Sequence, residues 1–253
     1  MRDFTQQMYR QLCQAINDAG YRTVMLGGYF STDDSHKPRL FLRHDIDRDP
    51  QLALEMAQIE HEYSLESTYL FRVVDSVFEP DIIKNISRLG MEIGYHYECL
   101  DKAKGDYEKA FEICKADLKK LRELAPVKTM AMHGNPLTKW DNRNLWQKYD
   151  YRQVGIEVAA YLNIDYKQVR YFSDTGRTWD EQRGNIYDFV GKQPEHSLKT
   201  TPDLIDFIAN HKQATCILIH PNRWSDKLSK WLYNWSFDMA GNTVKAMIKM
   251  LRK

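Results

Sequence analysis

Short apolar runs alternate along the chain with longer segments in which apolar residues recur at helical spacing. The runs predict strands over residues 40–42, 68–71, 91–95, 129–132, 169–172 and 216–219. The longer segments predict helices over residues 4–19, 51–63, 81–89, 107–124 and 202–211, and a terminal helix over 228–253 with a break near Gly241. Thr201 is the expected N-cap of the 202–211 helix, because Pro202 then takes the first helical position. Alternating strands and helices favour an α/β fold with a mainly parallel sheet.

Length, charge and cysteine content exclude several classes of protein. The 253 residues, with a mass of 29.9 kDa, suffice for one α/β barrel domain, and no repeat or linker divides them. Lys and Arg number 36 against 35 Asp and Glu, so no overall field favours nucleic acid as a partner. No stretch approaches the roughly 18 apolar residues of a membrane span. The four cysteines form no C-x-x-C pair and no apolar leader is present, which indicates reduced thiols and a cytoplasmic location.

Charged or metal-binding residues follow the predicted strands. The first run is followed by Arg43-His44-Asp45-Ile46-Asp47, and later runs by His96, His133, Asp174 with Arg177, and His220 with Arg223. Because the carboxyl ends of parallel strands share one face, we expect these residues to meet in one pocket. Polar loops alone would explain the polarity of these positions but not the recurrence of His and Asp.

Two aspartates and two histidines of this set have the chemistry of a metal site. Asp45 and Asp47 are two residues apart, so on an extended segment their side chains point the same way. Carboxylates this close repel unless a cation or a proton separates them. An Asp with His96 and His133, leaving one position open, suits a catalytic divalent metal such as zinc. The alternative is a solvated acidic turn, because D-x-D alone is a weak signal.

The ordered set of motifs resembles the polysaccharide deacetylases of the NodB-homology family, carbohydrate esterase family 4. The segments that carry the resemblance are 43–47, 70–71, 92–96 and 217–220, within a region of about 39–224. The nearest similarity is to a branch linked to bacterial surface-polysaccharide and lipopolysaccharide gene clusters. The resemblance implies a distorted (β/α) barrel of seven or eight strands, closed or incomplete. We expect a single domain, 1–253, with an N-terminal helix and strand or loop over 1–38 and a C-terminal helix over 225–253 packed on the barrel.

The resemblance also implies a metal-binding set. Asp45 corresponds to the general base of the family, and Asp47 and His96 to two metal ligands. The family has a second histidine four residues after the first, where this chain has Leu100. His133 is the first substitute for the missing ligand and Glu98 the second.

Further roles follow from the later motifs. His220 ends an apolar run and corresponds to the general acid, and Asp174 with Trp179 resembles the Asp–Trp motif that accompanies it. Asp174 would hold His220 in orientation, and Arg177 would assist catalysis or bind an anionic substrate group. Substrate contacts are also expected from Arg43, Glu98, Trp179 and Arg223. Tryptophans, including Trp140, Trp146 and Trp224, are either cleft walls for a sugar or core residues.

The implied reaction is metal-dependent hydrolysis of an N-acetyl or related acyl group on a sugar or saccharide intermediate, in surface-polysaccharide biosynthesis. One divalent ion is expected, zinc first, with nickel, cobalt, manganese or iron as alternatives. A carbohydrate is the expected partner, and the oligomeric state stays open. Leu100 motivates a different class of function, a catalytically silent barrel that binds a saccharide or a partner protein. A third hypothesis keeps the hydrolysis but replaces the sugar by a non-sugar amide.

Overall fold

A single parallel sheet organises the structure, a computed structural model that describes residues 2–32, 36–135, 137–179, 190–191 and 198–251, with side chains to residue 243. The strands of this described part are β1 Arg22–Thr23, β2 Arg39–Ile46, β3 Ser67–Phe71, β4 Glu92–Tyr97, β5 Thr129–Met132, β6 Val158–Ala159, β7 Arg170–Ser173 and β8 Thr215–Ile219. Their order in the sheet is β6-β5-β4-β3-β2-β8-β7, and β1 pairs with the first two residues of β2. The predicted α/β fold with parallel strands is therefore confirmed.

The sheet curls into an incomplete barrel rather than a closed one. Strands β6 and β7 form its two edges, and no pairing joins them within the described ranges. Two of the strands, β1 and β6, are only two residues long, and the apolar runs of the sequence did not predict them. A two-residue strand has no periodicity of its own, so it forms only because a longer neighbour presents a free edge.

Helices pack on both faces of the sheet, most of them on the outer one. They are α1 Gln6–Asp18, α2 Pro50–Glu62, α3 Pro80–Arg88, α4 Cys99–Lys102, α5 Tyr107–Arg122, α6 Leu145–Lys148, α7 Ala160–Asn163, α8 Thr201–Asn210 and α9 Leu228–Leu251. In α1, Thr5 caps the amino end by accepting a 3.1 Å hydrogen bond from the Met8 N–H. In α8 the N-cap is Thr200 rather than the predicted Thr201, because Thr200 and Asp203 form a reciprocal capping box.

The charged motif of the first strand lies inside the strand and not after it. Strand β2 continues through Arg43, His44 and Asp45 to Ile46, paired on one side with β3 and on the other with β8. Side chains along it alternate, so Phe41, Arg43 and Asp45 share one face and His44 takes the other. The strand was predicted to end at residue 42 because the charged Arg43 ends the apolar run. This boundary was wrong, since β3 and β8 continue to pair with the backbone of β2 beyond Leu42.

A short turn follows β2 and reverses the chain into α2. Three residues, 47–49, separate Ile46 from Pro50. Asp49 has a φ of 53°, in the left-handed region that non-glycine residues rarely adopt. Its carboxylate accepts a salt bridge of 2.6 Å from Lys230 of α9. This turn places Asp47 at the carboxyl end of β2 and Asp49 beside α9.

Helix α9 differs from the others in the polarity of its two sides. It runs from Leu228 to Leu251 without a break, so the expected interruption at Gly241 is wrong. Asn234 and Asp238 are buried, whereas Leu232 and Trp235 are 48% and 43% exposed. The helix therefore packs through hydrogen bonds and ion pairs, and the last two residues, 252–253, lie outside the described part. No helix in the described ranges has the length and hydropathy to cross a bilayer.

Candidate metal and catalytic site

Three side chains from separate segments converge at the carboxyl end of the sheet. Asp47 follows β2, His96 lies in β4, and His133 follows β5. Asp47 Oδ1 is 3.3 Å from His96 Nε2 and 3.0 Å from His133 Nδ1, and the two imidazole nitrogens are 3.2 Å apart. The sheet order brings these residues together because β2, β3, β4 and β5 are consecutive neighbours. Of the His, Cys, Asp and Glu groups in the described ranges, this one has the convergence of a metal site.

The spacing of the three atoms fits a divalent ion. Ligands at about 2.0–2.1 Å from a tetrahedral metal lie about 3.3 Å from one another, close to the distances between these atoms. Asp47 Oδ1 is buried and forms no hydrogen bond in the described structure, although His133 Nδ1 is 3.0 Å away. A buried carboxylate oxygen without a donor is destabilising unless a cation compensates it. The residues present therefore fit a metal.

The electrostatics of Asp47 favour its ionised form. Burial raises the pKa of Asp47, but the imidazoles of His133, His96 and His220 outweigh this effect and hold the pKa well below its usual range. Asp47 is thus a carboxylate at neutral pH, the form in which it can bind a cation.

His96 is oriented by its other ring nitrogen. His96 Nδ1 lies 3.2 Å from the carbonyl oxygen of Ala131, which can only accept a hydrogen bond. In the neutral ring the hydrogen is therefore on Nδ1, and Nε2, directed at Asp47, is available to a cation. This arrangement, in which a backbone carbonyl fixes the ring of a ligand, is common at metal sites. The segment after β5 is fixed as well, because Asn142 donates to the carbonyl oxygen of His133 at 3.0 Å.

Leu100, which stands where the resembled family has its second histidine, is part of the core. Leu100 is 1% exposed and packs in the hydrophobic cluster beneath α4. Glu98, the second substitute, forms a bidentate ion pair with Arg72, at 2.7 Å and 3.2 Å, and does not belong to the metal-binding group. His133, the first substitute, does belong to it, so a neighbouring strand supplies the third candidate ligand.

Asp45 lies beside the metal-binding group and is held by Arg43. Arg43 Nε donates to Asp45 Oδ1 at 2.8 Å and Arg43 Nη2 to Oδ2 at 2.6 Å. Asp45 Oδ2 is also 3.5 Å from His96 Nε2. Burial raises the pKa of Asp45, but the Arg43 guanidinium outweighs it and lowers the pKa. Arg43 is 0% exposed, so the structure places it behind Asp45 and not, as predicted, against the substrate.

His220 faces the same space from the opposite side. Its Nε2 is 3.8 Å from Asp47 Oδ2, and its Nδ1 donates to Asp174 Oδ1 at 2.6 Å. Asp174 also accepts hydrogen bonds from Arg223 and from Trp224 Nε1, at 2.9 Å for the indole. Burial raises the pKa of Asp174, but Arg223 and His220 outweigh it and lower the pKa. Asp174 is thus an ionised, fully hydrogen-bonded carboxylate that directs His220 Nε2 into the site.

Two predicted site residues lie away from the cleft. Trp179 is 0% exposed and donates to Thr201 Oγ1 at 3.2 Å, in the core between Phe4 and Trp224, so it does not reach a substrate. Arg177 donates from Nε to Asp238 at 2.8 Å and its guanidinium lies 5.1 Å from the Trp231 ring. Its contact is therefore with α9, and a role in catalysis or anion binding stays a prediction.

A cleft of about 430 Å³ opens beside these residues. Its walls include Asp47, Arg48, Arg72, His133, Phe237 and Asp238. A larger and more open depression of about 660 Å³ lies against α5 and contains none of the residues discussed above. The sequence analysis did not identify Arg48 or Asp238 and gave no role to Arg72. Arg72, directly after the apolar run 68–71, carried a signal, whereas nothing in the sequence places α9 over the cleft.

Comparisons with known proteins give structural similarity at low identity. No protein-family model matches the sequence, and no curated protein matches it. Among solved structures, a mutant of the peptidoglycan deacetylase PdaC from Bacillus subtilis is 12% identical, with a TM-score of 0.46 over 87% of this chain and 95% of that one. A family 4 carbohydrate esterase from Bacillus anthracis is 10% identical, with a TM-score of 0.41 over 91% of this chain and 84% of that one.

Proposed function

We propose that this protein is a metal-dependent hydrolase that removes an N-acetyl or related acyl group from a sugar or saccharide intermediate. One observation carries the proposal. The buried and unpaired Oδ1 of Asp47 lies 3.0–3.3 Å from two imidazole nitrogens, with a carboxylate and a third imidazole on either side. A structural zinc site would be closed by four protein ligands, whereas three leave a position for a substrate.

The surrounding residues have the groups that amide hydrolysis needs. A divalent ion held by Asp47, His96 and His133 would supply a Lewis acid for the acyl oxygen and lower the pKa of water. Asp45, ionised and fixed by Arg43, accepts a proton from the water that attacks the acyl carbon. When the C–N bond breaks, His220 Nε2 donates a proton to the departing amine, while Asp174 keeps the ring in orientation.

The finer parts of the proposal have separate support. Zinc is the first choice because one carboxylate and two imidazoles are its usual ligands, although nickel, cobalt, manganese and iron accept similar sets. The sugar substrate and a place in surface-polysaccharide assembly are supported by the ordered motifs of the sequence. A cytoplasmic location is supported by four buried cysteines without disulfides.

Metal content and acetate release test the proposal together. We would purify the protein without chelators, measure bound metal by elemental analysis, and assay acetate release from N-acetylated sugars. The wild type should bind about one ion per chain, and Asp47→Ala and His96→Ala should lose it. His61→Ala is the matched control, because His61 lies on α2 and contacts the Leu89 carbonyl away from the site.

Two outcomes would overturn the proposal. If the folded wild type binds no metal after supplementation, hydrolysis by this route fails and a saccharide-binding barrel without activity replaces it. If metal binds but acetate is released from simple amides in preference to N-acetylated sugars, the substrate class is wrong.

A further inference from the structure

We propose that the substrate carries an anionic group, a phosphate or a carboxylate, and that Arg48 binds this group at the mouth of the cleft. The inference rests on the proposed function and specifies its substrate class. Neither the motif resemblance nor the metal-binding group requires a charged substrate. The inference comes instead from the balance of charges between the turn after β2 and helix α9.

Arg48 is the arginine of the cleft with the fewest partners. Its side chain is 29% exposed, and its guanidinium lies 3.8 Å from the centre of the Phe237 ring. It makes one hydrogen bond within the described part of the chain, a long one of 3.4 Å from Nη2 to Asp238 Oδ1. A guanidinium has five N–H donors in a planar fork that matches a carboxylate or a phosphate. Phe237 therefore fixes the plane of the group while most of its donors stay available.

The acid that contacts Arg48 is already shared. Asp238 accepts a 2.8 Å hydrogen bond from Arg177 and lies 3.6 Å from Arg223 Nε, in addition to the long contact with Arg48. Arg223 also pairs with Asp174. Arg48, Arg177 and Arg223 thus share Asp174 and Asp238, and Arg48, the most exposed of the three, has the longest of their hydrogen bonds to these carboxylates. Asp47 is a third carboxylate near Arg48 and Arg223, and a cation bound to it would leave one positive charge of the three arginines without a partner. Arg223 Nε, also on the cleft wall, is buried without a hydrogen-bond acceptor in the described structure.

The remaining arginines near the cleft do not change this balance. Arg72 is paired with Glu98, and Arg43 with Asp45, each by two hydrogen bonds. Asp47 is the carboxylate without such a partner, and the charge of a divalent ion exceeds its single negative charge. With the metal bound, the metal-binding group and the part of the cleft wall that carries Arg48 would both be positively charged. A neutral sugar would leave this charge unpaired, whereas an anionic group beside the reacting sugar would compensate it.

Paired substrates test the inference. The metal-loaded full chain would be assayed for acetate release from N-acetylglucosamine, N-acetylglucosamine 1-phosphate and N-acetylmuramic acid. We expect a higher kcat/KM for one or both anionic substrates, and a decrease in that preference at high salt. An alkyl ester of the sugar phosphate distinguishes a lipid-linked phosphate from a free one. Equal kcat/KM values for neutral and anionic substrates would overturn the inference.

Variants of Arg48 locate the effect. Arg48→Gln should reduce the anionic-to-neutral ratio of kcat/KM by about 10- to 100-fold, the value of one charge-assisted hydrogen bond. Arg48→Lys should keep part of the ratio, because it retains the charge but not the fork. Arg152→Gln removes the same charge from an exposed pair with Asp150 and should leave the ratio intact. If Arg48→Gln keeps its full metal content and the anionic-to-neutral ratio of kcat/KM does not change, the anion is bound by the metal or by another residue and the inference is wrong.

Failure of the inference can be told from failure of the proposed function. If no substrate releases acetate, calorimetric titration of the metal-loaded protein with N-acetylglucosamine 1-phosphate and with N-acetylglucosamine still measures the preference. Tighter binding of the phosphate in the wild type, lost in Arg48→Gln, would support the anion site even without hydrolysis. Absence of that difference would remove the inference and leave the metal site to be judged by its own experiment.

Discussion

The two faces of β2 carry two buried charged clusters that differ in how completely they are paired. On the outer face, His44 Nε2 contacts Glu60 Oε1 at 2.6 Å, and Tyr9 donates to the same oxygen. Ser67 and Tyr69 donate to Glu60 Oε2 at 2.6 Å and 2.7 Å. On the inner face, the imidazoles face Asp47 and each other, and Asp47 Oδ1 has no hydrogen bond in the described structure. Both oxygens of the Glu60 carboxylate are hydrogen-bonded, although His44 Nδ1 has no partner in the described structure, and this carboxylate holds α1, α2 and the sheet together. The unpaired oxygen of Asp47 gives the inner cluster the character of a binding site.

The largest expected effect separates the histidines of the two faces. His133→Ala removes a metal ligand and should lower acetate release by about 10³-fold or more. His44→Gln, on the outer face, should change activity by less than about threefold while the protein stays folded. Both variants would be assayed with circular dichroism as the check on folding. A loss of activity in His44→Gln as great as in His133→Ala would abolish the distinction between the faces.

Removal of the outer carboxylate should cost the most stability. Glu60→Ala leaves His44, Tyr9, Ser67 and Tyr69 without their shared acceptor, and we expect a loss of about 3–5 kcal/mol in the free energy of unfolding. Urea denaturation would measure it, and the metal content of the folded variant should stay that of the wild type.

The pH dependence of stability gives a second test of the outer cluster. Burial raises the pKa of Glu60, but His44 and the hydrogen bonds outweigh it and lower the pKa from 4.5. Stability from this ionised group is fully present above the unfolded pKa and is lost as pH falls through the folded value. Glu60→Gln should therefore lose less stability than the wild type on acidification through this range. The free energy of unfolding of both proteins would be measured as a function of pH. An equal loss on acidification in the two proteins would contradict this prediction.

Metal addition should stabilise the protein through the inner face alone. Zinc at about a hundredfold excess over its dissociation constant should stabilise the wild type by about 2.7 kcal/mol. Glu60→Gln should gain the same amount, and Asp47→Ala should gain nothing. Thermal unfolding with and without zinc would compare the three proteins, and an equal gain in Asp47→Ala would place the ion elsewhere.

The Arg43–Asp45 pair should affect rate without affecting metal binding. Arg43→Gln leaves Asp45 without its bidentate partner, and we expect kcat to fall by about 10- to 100-fold. Elemental analysis should still find the ion. Loss of the ion in this variant would mean that Arg43 shapes the metal site itself.

The smallest effect is expected in the core beside the site. Trp179→Phe removes the indole hydrogen bond to Thr201 and should lower the free energy of unfolding by about 1 kcal/mol. The KM for an N-acetylated sugar should not change, because Trp179 is fully buried. A raised KM would indicate that Trp179 does contact the substrate, as the sequence predicted.

The sequence predicted most of this arrangement at the level of strands and their ends. Parallel strands bring their carboxyl ends together, so Asp47, His96 and His133 could be placed in one pocket before any distance was known. Strand bounds near charged residues could not be predicted, because the apolar run stops at Leu42 while β2 continues to Ile46. Burial of a charge depends on its partner, and the partner Glu60 is 16 residues from His44 on another element.

Contacts made by α9 were beyond sequence reasoning for a different reason. The helix presents Asn234 and Asp238 to the protein and apolar residues to the outside, so its hydrophobic pattern does not reveal which face packs. The role of Arg43 could have been found. Its spacing of two from Asp45 on a strand puts both side chains on one face, the same argument that was applied to Asp45 and Asp47.

The turn after β2 determines how much freedom Asp47 has. Only three residues separate the last residue of β2 from the first of α2, and the third of them, Asp49, holds a left-handed backbone directly before Pro50. The segment is anchored by sheet pairing at one end and by a helix at the other, and Lys230 holds Asp49 from α9. Little conformational entropy is then left to lose when Asp47 engages a ligand, so the site is preorganised. The backbone strain of Asp49 persists because the surrounding contacts impose it.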